Sequence, residues 1–431
     1  MHRRTFIRLL SAAAASDPLC LLAVSRGAPQ AARFRLTRAD ELLLDEIERR
    51  ACLFFFEQAS PDTGQVLDRA KWVGTTGALD SRRMASIAAT GFGLSALCIA
   101  HHRNYQPRAR ILDQVRRTLR FHANTLPHDH GFFTHFNDIQ TGAPWRHSEV
   151  SSIDTGLLLC GVLTARAYFH TDPEIVRLAT EIYNRVEWPW MLNGGNTFSM
   201  GLRDGKFIKS RWDHYCELML IYLLAIASPT HPIDPACWDA FTRPTMEFGG
   251  YKYISFTDPL FVHQYSHAWF DFRNKRDRYA NYFDNSVIAT RAHLAFCLSL
   301  GEPYSADYWG ISASDSQHGY VAWGGPPRLD HPDGSVVPYA TAGSLPFLPA
   351  DCLRVQRALQ QFGDLAWGRY GYADAFNPSD KWYDPDVLGI DLGITALMAE
   401  NLRSGLVWQT FSRNPEVAVA FRRAGFHPER A

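Results

Sequence analysis

The chain has 431 residues, of which 46% are hydrophobic, and its 44 lysine and arginine residues balance its 44 aspartate and glutamate residues. This length and composition allow a large buried core and exclude a chain that is disordered over most of its length. The balanced charge gives no electrostatic reason to bind nucleic acid or an anionic membrane, and it favours a neutral polar ligand.

Residues 1–32 have the pattern of a bacterial export signal of the twin-arginine type. Arg3 and Arg4 precede a weakly apolar stretch, and residues 28–32 offer a small-residue cleavage site. Asp17 and Pro18 interrupt the apolar run, so we expect no stable insertion into a membrane. We therefore predict a signal peptide at 1–32, a periplasmic or secreted protein, and one domain over 33–431. An ordinary basic N-terminus is the alternative.

Apolar residues recur at helical spacing through most of the remaining chain. The pattern predicts helices near residues 42–56, 87–100, 111–121, 153–169, 175–186, 215–227, 236–248, 287–300, 353–362, 388–402 and 415–421. Period-two alternation is confined to short stretches at 197–200 and 207–209. Long loops rich in aromatic and polar residues occupy 124–150, 188–214, 249–286 and 304–348. Such loops are functional when they occur, so we predict a single all-α toroid of helical hairpins with a cleft at one end.

Familiar cofactor and metal motifs are missing from the sequence. There is no Gly-x-Gly-x-x-Gly, no phosphate loop, no Gly-x-Ser-x-Gly and no His-Glu-x-x-His. Seven cysteines follow residue 32, an odd number without close pairs, so neither a disulfide framework nor a zinc site is indicated. The sequence therefore predicts no cofactor and no metal.

One acidic cluster lies where the apolar helix 215–227 begins. If the chain is already helical there, Asp213, His214 and Glu217 share a face, because positions three and four apart line up. A carboxyl pressed against apolar neighbours, with a second acid one turn away, should have a raised pKa, which suits a general acid. A capped core helix with Glu217 in a buried ion pair is the alternative.

A second cluster precedes the helix at 153–169. Ser151 or Ser152 can cap this helix, which places Asp154 in the first turn, where the helix dipole favours its charge. Glu149 lies in the incoming loop beside Trp145 and Arg146, a group typical of a ligand site. Asp154 could instead serve only as a dipole-stabilised residue.

A third cluster contains Trp382, Tyr383 and Asp391. Asp391 begins a helix, which should keep its pKa low and suit it to act as a base. A carboxyl with a raised pKa at Glu217 and one with a lowered pKa at Asp391 form the arrangement expected for glycoside hydrolysis.

Two loops, 261–273 and 308–320, mix aromatic rings with polar side chains. Flat rings stack on sugars while polar groups bind hydroxyls, although an aromatic core beneath each loop is the alternative. The predicted substrate-binding residues are Trp145, Arg146, Arg211, Asp213, His214, His263, Tyr265, His267, Trp269, Asp271, Arg273, Trp309, Asp315, Trp382 and Tyr383.

Taken together, these residues resemble the glycoamylase-like domain and, within it, the bacterial endo-β-1,2-glucanases of glycoside hydrolase family 144. The matching segments are 211–229, 261–273, 281–290, 308–315, 334–349 and 389–408. The resemblance implies an (α/α)6 barrel and metal-free, endo-acting, inverting hydrolysis of a β-1,2-glucan polysaccharide or oligosaccharide. We also predict that the protein is a monomer.

The resemblance also implies roles for individual acids. Glu217 falls at the position of the general acid and Asp391 at that of the base, with Asp154 and Glu149 as competing candidates. In an inverting enzyme the two carboxyls are roughly 6.5–9.5 Å apart, unless water or a substrate hydroxyl relays the proton. Exo-acting sophorose-releasing enzymes and transglycosylating domains share the family. The same residues are also compatible with a polysaccharide lyase or with a non-catalytic glycan-binding protein.

Overall fold

The structure is a computed structural model that describes residues 34–256, 259–326 and 332–429, so the predicted signal peptide at 1–32 lies outside the described residues. Helices dominate it. The α-helices are α1 (Arg38–Glu57), α2 (Ile87–Arg103), α3 (Arg108–Asn124), α4 (Ser152–Tyr168), α5 (Pro173–Asn184), α6 (Trp188–Leu192), α7 (Met219–Ile226), α8 (Tyr282–Ser299), α9 (Pro338–Ala342), α10 (Pro349–Ala358), α11 (Gly389–Arg403), α12 (Leu406–Phe411) and α13 (Pro415–Arg423). The 3-10 turns are Pro235–Asp239, Leu260–His263, Tyr265–Ala268 and Leu359–Leu365.

Short antiparallel strands join the loops rather than forming a large sheet. The pairs are Arg69–Lys71 with Asp386–Leu388, Met84–Ser86 with Phe136–Asp138, His128–Asp129 with Phe132–Phe133, Phe198–Ser199 with Arg211–Trp212, Thr245–Phe248 with Tyr251–Ile254, Lys275–Arg276 with His427–Pro428, Ala313–Ser314 with Val321–Ala322, Trp367–Gly368 with Gly371–Tyr372, and Phe376–Asn377 with Trp382–Tyr383. Val150–Ser151, Gly201–Arg203 and Lys206–Phe207 form one three-stranded sheet.

The described helices form two concentric rings. Every residue of α7 and residues 87–100 of α2 are buried, as expected of helices that are apolar all round. By contrast, α3 and α5 are amphipathic and bury one face only. The inner ring runs through α2, α4, α7, the turn Tyr265–Ala268, α9 and α11, and the outer helices pack around it.

Packing closes the inner ring. Direct helix contacts join α2 to α4, α4 to α7, α9 to α11 and α11 to α2. The remaining gap is closed by side chains of the central 3-10 segment. Ser266 hydrogen-bonds the start of α7, and Gln264 donates to the Ala340 carbonyl of α9 at 2.8 Å. The predicted (α/α)6 barrel is confirmed, with one inner position held by short 3-10 turns in place of an α-helix.

Glycines allow α2 and α4 to approach closely. A Cβ at Gly161 would overlap the Gly91 carbonyl oxygen. We expect Gly161→Ala to destabilise the fold by about 3 kcal/mol, although alanine is the better helix former, because two backbones would have to separate. Urea unfolding measures this loss. Gly156→Ala, whose Cβ would meet the Ile221 and Leu220 side chains, should cost less. Equal stability of Gly161→Ala and the wild type would contradict the close packing.

Two predicted helices differ from the structure. The segment 215–227 becomes helical only at Met219, because Arg211–Trp212 forms a strand and residues 213–218 form the turn after it. The predicted helix 236–248 is wrong, since the chain forms the 3-10 turn Pro235–Asp239 and then the strand Thr245–Phe248. Pro244 provides the physical reason, because it lacks an N–H and disfavours helical geometry in the residue before it.

The inner helices all begin at the same end of the barrel. Gly156 near the start of α4 lies beside Ile221 near the start of α7, and Gly389 at the start of α11 lies beside Ala89 near the start of α2. Short strands connect the loops that enter these helices. Acidic residues in or before their first turns are therefore gathered at this end.

An ionic network closes the opposite end. Arg403, in the last turn of α11, donates to Glu48 at 2.5 Å and to Asp45 at 3.0 Å on α1. Arg103, in the last turn of α2, donates to Glu400 at 2.9 Å. Cations at helix C-termini complement the helix dipole, so this end is built for stability. Within the described residues, none of the helices combines the length and apolar character that a membrane span requires.

Candidate active site

Three of the predicted catalytic carboxyls lie at the starts of inner helices. Asp154 is in the first turn of α4, where Ser151 caps the helix, and Asp391 is in the first turn of α11. Glu217 lies in the turn just before α7. The helix starts are level with one another, so the three residues belong to the same end of the barrel. Both first-turn placements agree with the sequence prediction.

Glu217 is half-buried, and its backbone is firmly held. The Ser266 hydroxyl donates to the Glu217 carbonyl at 2.8 Å and accepts from the Leu220 amide at 3.1 Å. Burial, followed by the charge of Glu217, raises the pKa of the Cys216 thiol, which therefore stays protonated and donates to the Glu217 carboxyl. The backbone of Glu217 is therefore fixed, and the residue is partly exposed.

The predicted shared helix face of Asp213, His214 and Glu217 is wrong, because all three precede α7. Trp212 is fixed in a strand, where its carbonyl accepts from the Tyr222 hydroxyl at 2.7 Å. Asp213 instead pairs with the ring of its neighbour His214 at 2.7 Å. His214 stacks at 3.8 Å on Phe256, an exposed aromatic side chain that no sequence pattern had indicated.

Asp391 is buried and has a second carboxyl beside it. The Tyr265 hydroxyl donates to Asp391 Oδ1 at 3.4 Å. Burial, followed by the charge of Asp391 and a hydrogen bond to it, raises the pKa of Asp374 well above its ordinary value. Asp374 therefore holds a proton, which it donates in a hydrogen bond to Asp391.

Further aspartates surround this pair. Asp315, Asp384 and Asp386 bring carboxylate oxygens within 4.8 Å of one another. Arg69 pairs with Asp315, and Arg82 makes two hydrogen bonds to Asp386 at 2.6 and 3.0 Å. Two arginines thus compensate part of the negative charge, and a proton on Asp384 compensates more. Burial, followed by the charge of Asp374, raises the pKa of Asp384 to about 8.

Because Asp384 is protonated in the folded protein, we predict that the stability of the fold depends on pH. Between the ordinary Asp value of roughly 3.9 and about 8, the folded protein keeps a proton on Asp384 that the unfolded chain releases, so stability falls as the pH rises. Asparagine mimics the neutral carboxyl. We expect Asp384→Asn to match the wild type near pH 4 and to exceed it by about 2–3 kcal/mol at pH 8.

Chemical denaturation at several pH values measures the difference. Asp364→Asn, at an exposed position, is the control and should show no such trend. A stability difference between Asp384→Asn and the wild type that stays constant with pH would contradict the protonated state.

Glu149 and Asp154 share a second buried site with a histidine. His135 Nδ1 lies 3.4 Å from Glu149 Oε1 and 3.5 Å from Asp154 Oδ2. The Ser151 hydroxyl donates to Asp154 at 2.5 Å, and Arg203 donates to Glu149 at 3.0 Å. No sequence signal pointed to His135 or Arg203, since their loops are separated from Asp154 along the chain and no spacing rule connects them.

Two groups in the described residues have donor atoms close enough to hold a cation. They are His135 with Glu149 and Asp154, and the three aspartates 315, 384 and 386. Arginine already neutralises a carboxylate in each group. The partly exposed members, which are His135, Asp315 and Asp386, can bind sugar hydroxyls.

Several predicted sugar-binding residues belong to the core instead. The segment 261–273 crosses the barrel as an inner element, which explains its aromatic character. Trp269, His267 and Trp309 are at most 1% exposed, and His263 is also buried. Trp269 donates to Ser95 of α2 at 2.9 Å, and His263 lies 3.2 Å from the Tyr215 hydroxyl. Their assignment to substrate binding is wrong, because a sugar cannot reach their rings.

Asp271 and Arg273 lie near the opposite end of the barrel. They pair at 2.8 Å, and the Arg273 guanidinium lies 4.0 Å from the centre of the Trp408 ring in α12. Because α12 follows the C-terminus of α11, this contact lies away from Asp391. Asp271 and Arg273 are therefore wrong as substrate-binding predictions.

The remaining predicted residues lie in the loops. Arg211 donates to the carbonyls of Leu192 and Thr197, so it fixes a loop. Trp145 is half-buried beside exposed Arg146. The half-buried strand residues Trp382 and Tyr383 lead toward Asp384, and Tyr383 stacks on Phe376.

Comparison with known proteins relates this architecture to carbohydrate-active enzymes. Residues 209–415 match the family model Glycoamylase, described as "Putative glucoamylase". The chain is 27% identical, over an alignment of 439 positions, to an exo beta-1,2-glucooligosaccharide sophorohydrolase (non-reducing end) from Parabacteroides distasonis. That alignment covers 89% of this chain but 58% of the relative, so the chain spans less than two thirds of the relative's length.

Solved structures share the whole fold. A "putative glucoamylase" from Bacteroides caccae has a TM-score of 0.82 and 28% identity, covering 90% of this chain and 100% of that one. An endo-beta-1,2-glucanase from Chitinophaga pinensis, in complex with sophorotriose and glucose, has a TM-score of 0.81 and 26% identity, covering 91% and 99%. The predicted family resemblance is confirmed.

Proposed function

We propose that this chain, which carries a glycoamylase-like domain, is a glycoside hydrolase that cleaves β-1,2-glucan with Glu217 as general acid and Asp391 as general base. The observation that carries the proposal is the contrast between the two carboxyls at one end of the barrel. Asp391 is buried and accepts hydrogen bonds from Tyr265 and Asp374, whereas Glu217 is half-buried in the turn before α7. Such contrasting environments separate acid from base.

The proposed reaction inverts the anomeric centre. Glu217 gives its proton to the glycosidic oxygen as the bond to the anomeric carbon breaks, and Asp391 removes a proton from the water that attacks that carbon. Asp374 supports the base, because a protonated neighbour favours the ionised form of Asp391. Glu149 and Asp154 are buried, and they are proposed to orient the partly exposed His135 between them toward a sugar hydroxyl.

Two similar proteins support the proposed specificity for the β-1,2 linkage. The Chitinophaga pinensis relative is called an endo-beta-1,2-glucanase, and the Parabacteroides distasonis relative an exo-acting sophorohydrolase. We propose endo action. Exo release of sophorose is the second candidate, because the exo-acting relative is 27% identical over most of this chain.

Product analysis tests linkage and mode together. The purified protein is incubated with linear β-1,2-, β-1,3- and β-1,4-glucans, and the products are separated by thin-layer chromatography. Endo action predicts a ladder of β-1,2-oligosaccharides from the first polymer alone, and exo action predicts sophorose alone. Products that absorb in the ultraviolet would indicate a lyase, and cyclic or longer glucans a transferase. Binding without new reducing ends would contradict hydrolysis.

We also propose export by the twin-arginine route, supported by the pattern of residues 1–32. The test is fractionation of cells that express the full chain. The protein should appear in the periplasm or medium, and replacement of Arg3 and Arg4 by lysine should retain it in the cytoplasm. Unchanged export of that variant would contradict the route.

A further inference from the structure

One buried turn touches both proposed catalytic residues. Tyr265 and Ser266 are adjacent in the 3-10 turn Tyr265–Ala268 of the inner ring. The Tyr265 hydroxyl donates to the Asp391 carboxylate at 3.4 Å. The Ser266 hydroxyl donates to the Glu217 carbonyl at 2.8 Å and accepts from the Leu220 amide at 3.1 Å. Neighbouring side chains thus reach α11 on one side and the start of α7 on the other.

We infer that Tyr265 and Ser266 are positioning residues that fix the proposed base and acid relative to one another. The inference rests on the proposed function and deepens it. Substrate binding by Tyr265 itself is unsuitable, since its ring is 1% exposed. The ring packs edge-on against Phe92 at 5.5 Å and tilted against Phe261 at 4.9 Å. Packing therefore fixes the direction of the hydroxyl, and its acceptor is the base.

Both neighbours of the turn are also held. Gln264 donates to the Ala340 carbonyl and to the Ser344 hydroxyl, each at 2.8 Å. Trp269 donates to Ser95 of α2 at 2.9 Å. Because the turn is anchored to α9 and α2, it can hold the proposed acid and base at a constant separation. Errors of about 1 Å in such a spacing can cost on the order of 100-fold in rate.

The two hydroxyls should act in different ways. Tyr265 stabilises the charged carboxylate, so Tyr265→Phe should raise the pKa of the base and shift the acidic limb of the kcat/KM profile to higher pH. Ser266 holds only the backbone of Glu217, so Ser266→Ala should lower kcat without moving that limb. In both variants we expect kcat to fall about 10- to 100-fold and KM to change less than about threefold.

Matched controls separate positioning from general stability. Tyr183 is a buried tyrosine whose hydroxyl donates to the Leu224 carbonyl at 2.8 Å, and Ser228 is a buried serine whose hydroxyl accepts from the His231 amide at 3.2 Å. Tyr183→Phe and Ser228→Ala lose comparable hydrogen bonds away from the carboxyls. They should lower the unfolding temperature by amounts similar to those of the test variants while keeping kcat and the pH profile.

The experiment is the pH dependence of hydrolysis of linear β-1,2-glucan by the wild type and these four variants, with unfolding temperatures measured alongside. A wild-type pH profile and kcat in Tyr265→Phe would overturn the inference while leaving the proposed function intact. A rate loss equal to that of Tyr183→Phe, without a shift of the acidic limb, would do the same. No hydrolysis by the wild type would overturn both.

Discussion

Glu217→Gln should lower kcat on β-1,2-glucan by about three orders of magnitude while the protein stays folded. Glutamine keeps the shape of the side chain but cannot deliver a proton to the departing oxygen, and general acid catalysis is worth about 10²–10⁴-fold. The half-buried position before α7 tolerates the neutral amide. Initial rates of reducing-end formation, together with circular dichroism, measure both properties.

The control for this variant is Glu46→Gln on the outer face of α1. Glu46 is also partly exposed, and it pairs with Arg50 at 2.6 Å on a surface helix. Its loss should leave kcat unchanged. Substantial glucanase activity in Glu217→Gln would remove Glu217 from the proposed mechanism.

Asp391→Asn should cause a comparable loss, because asparagine cannot accept a proton from the attacking water. The substitution also replaces the acceptor of the Asp374 proton, so the buried pair loses its shared charge. We expect kcat to fall by on the order of 10³-fold with KM little changed. Steady-state kinetics over a range of glucan concentrations separates these two constants.

Asp284→Asn provides a matched control, because Asp284 occupies the first turn of the outer helix α8. Like Asp391, it lies in the first turn of a helix, but its helix belongs to the outer ring. A similar loss of activity in both variants would indicate a general effect on folding, and near-wild-type activity of Asp391→Asn would exclude it as the base.

Helical periodicity predicted the long, regular elements well. Outer helices such as α3 and α5 repeat apolar residues every three to four positions because one face packs and the other is hydrated. Periodicity did not identify the segment 261–273 as an inner element, because its two 3-10 turns are only four residues long each. Its aromatic and polar residues gave the false signal of a sugar-binding loop.

The sequence predicted those residues of the candidate site that lie at the starts of helices. Ser151 and Asp154 carry a local capping signal, and their positions followed from it. Asp374 and His135 carry no such signal. They reach Asp391 and Asp154 only through long-range folding of loops, which residue spacing cannot reveal. The strand at Arg211–Trp212 likewise overrode the local helical pattern that placed Glu217 within a helix.

Hydrolysis of β-sophorosyl fluoride by the Glu217→Gln and Asp391→Asn variants tests the roles of acid and base separately. Fluoride leaves with little need for a proton, whereas the attacking water still needs a base. We predict that Glu217→Gln releases fluoride at a rate within about tenfold of the wild type, and that Asp391→Asn remains on the order of 10³-fold slower. The reverse order, or equal loss in both variants, would contradict the assignment of Glu217 as acid and Asp391 as base.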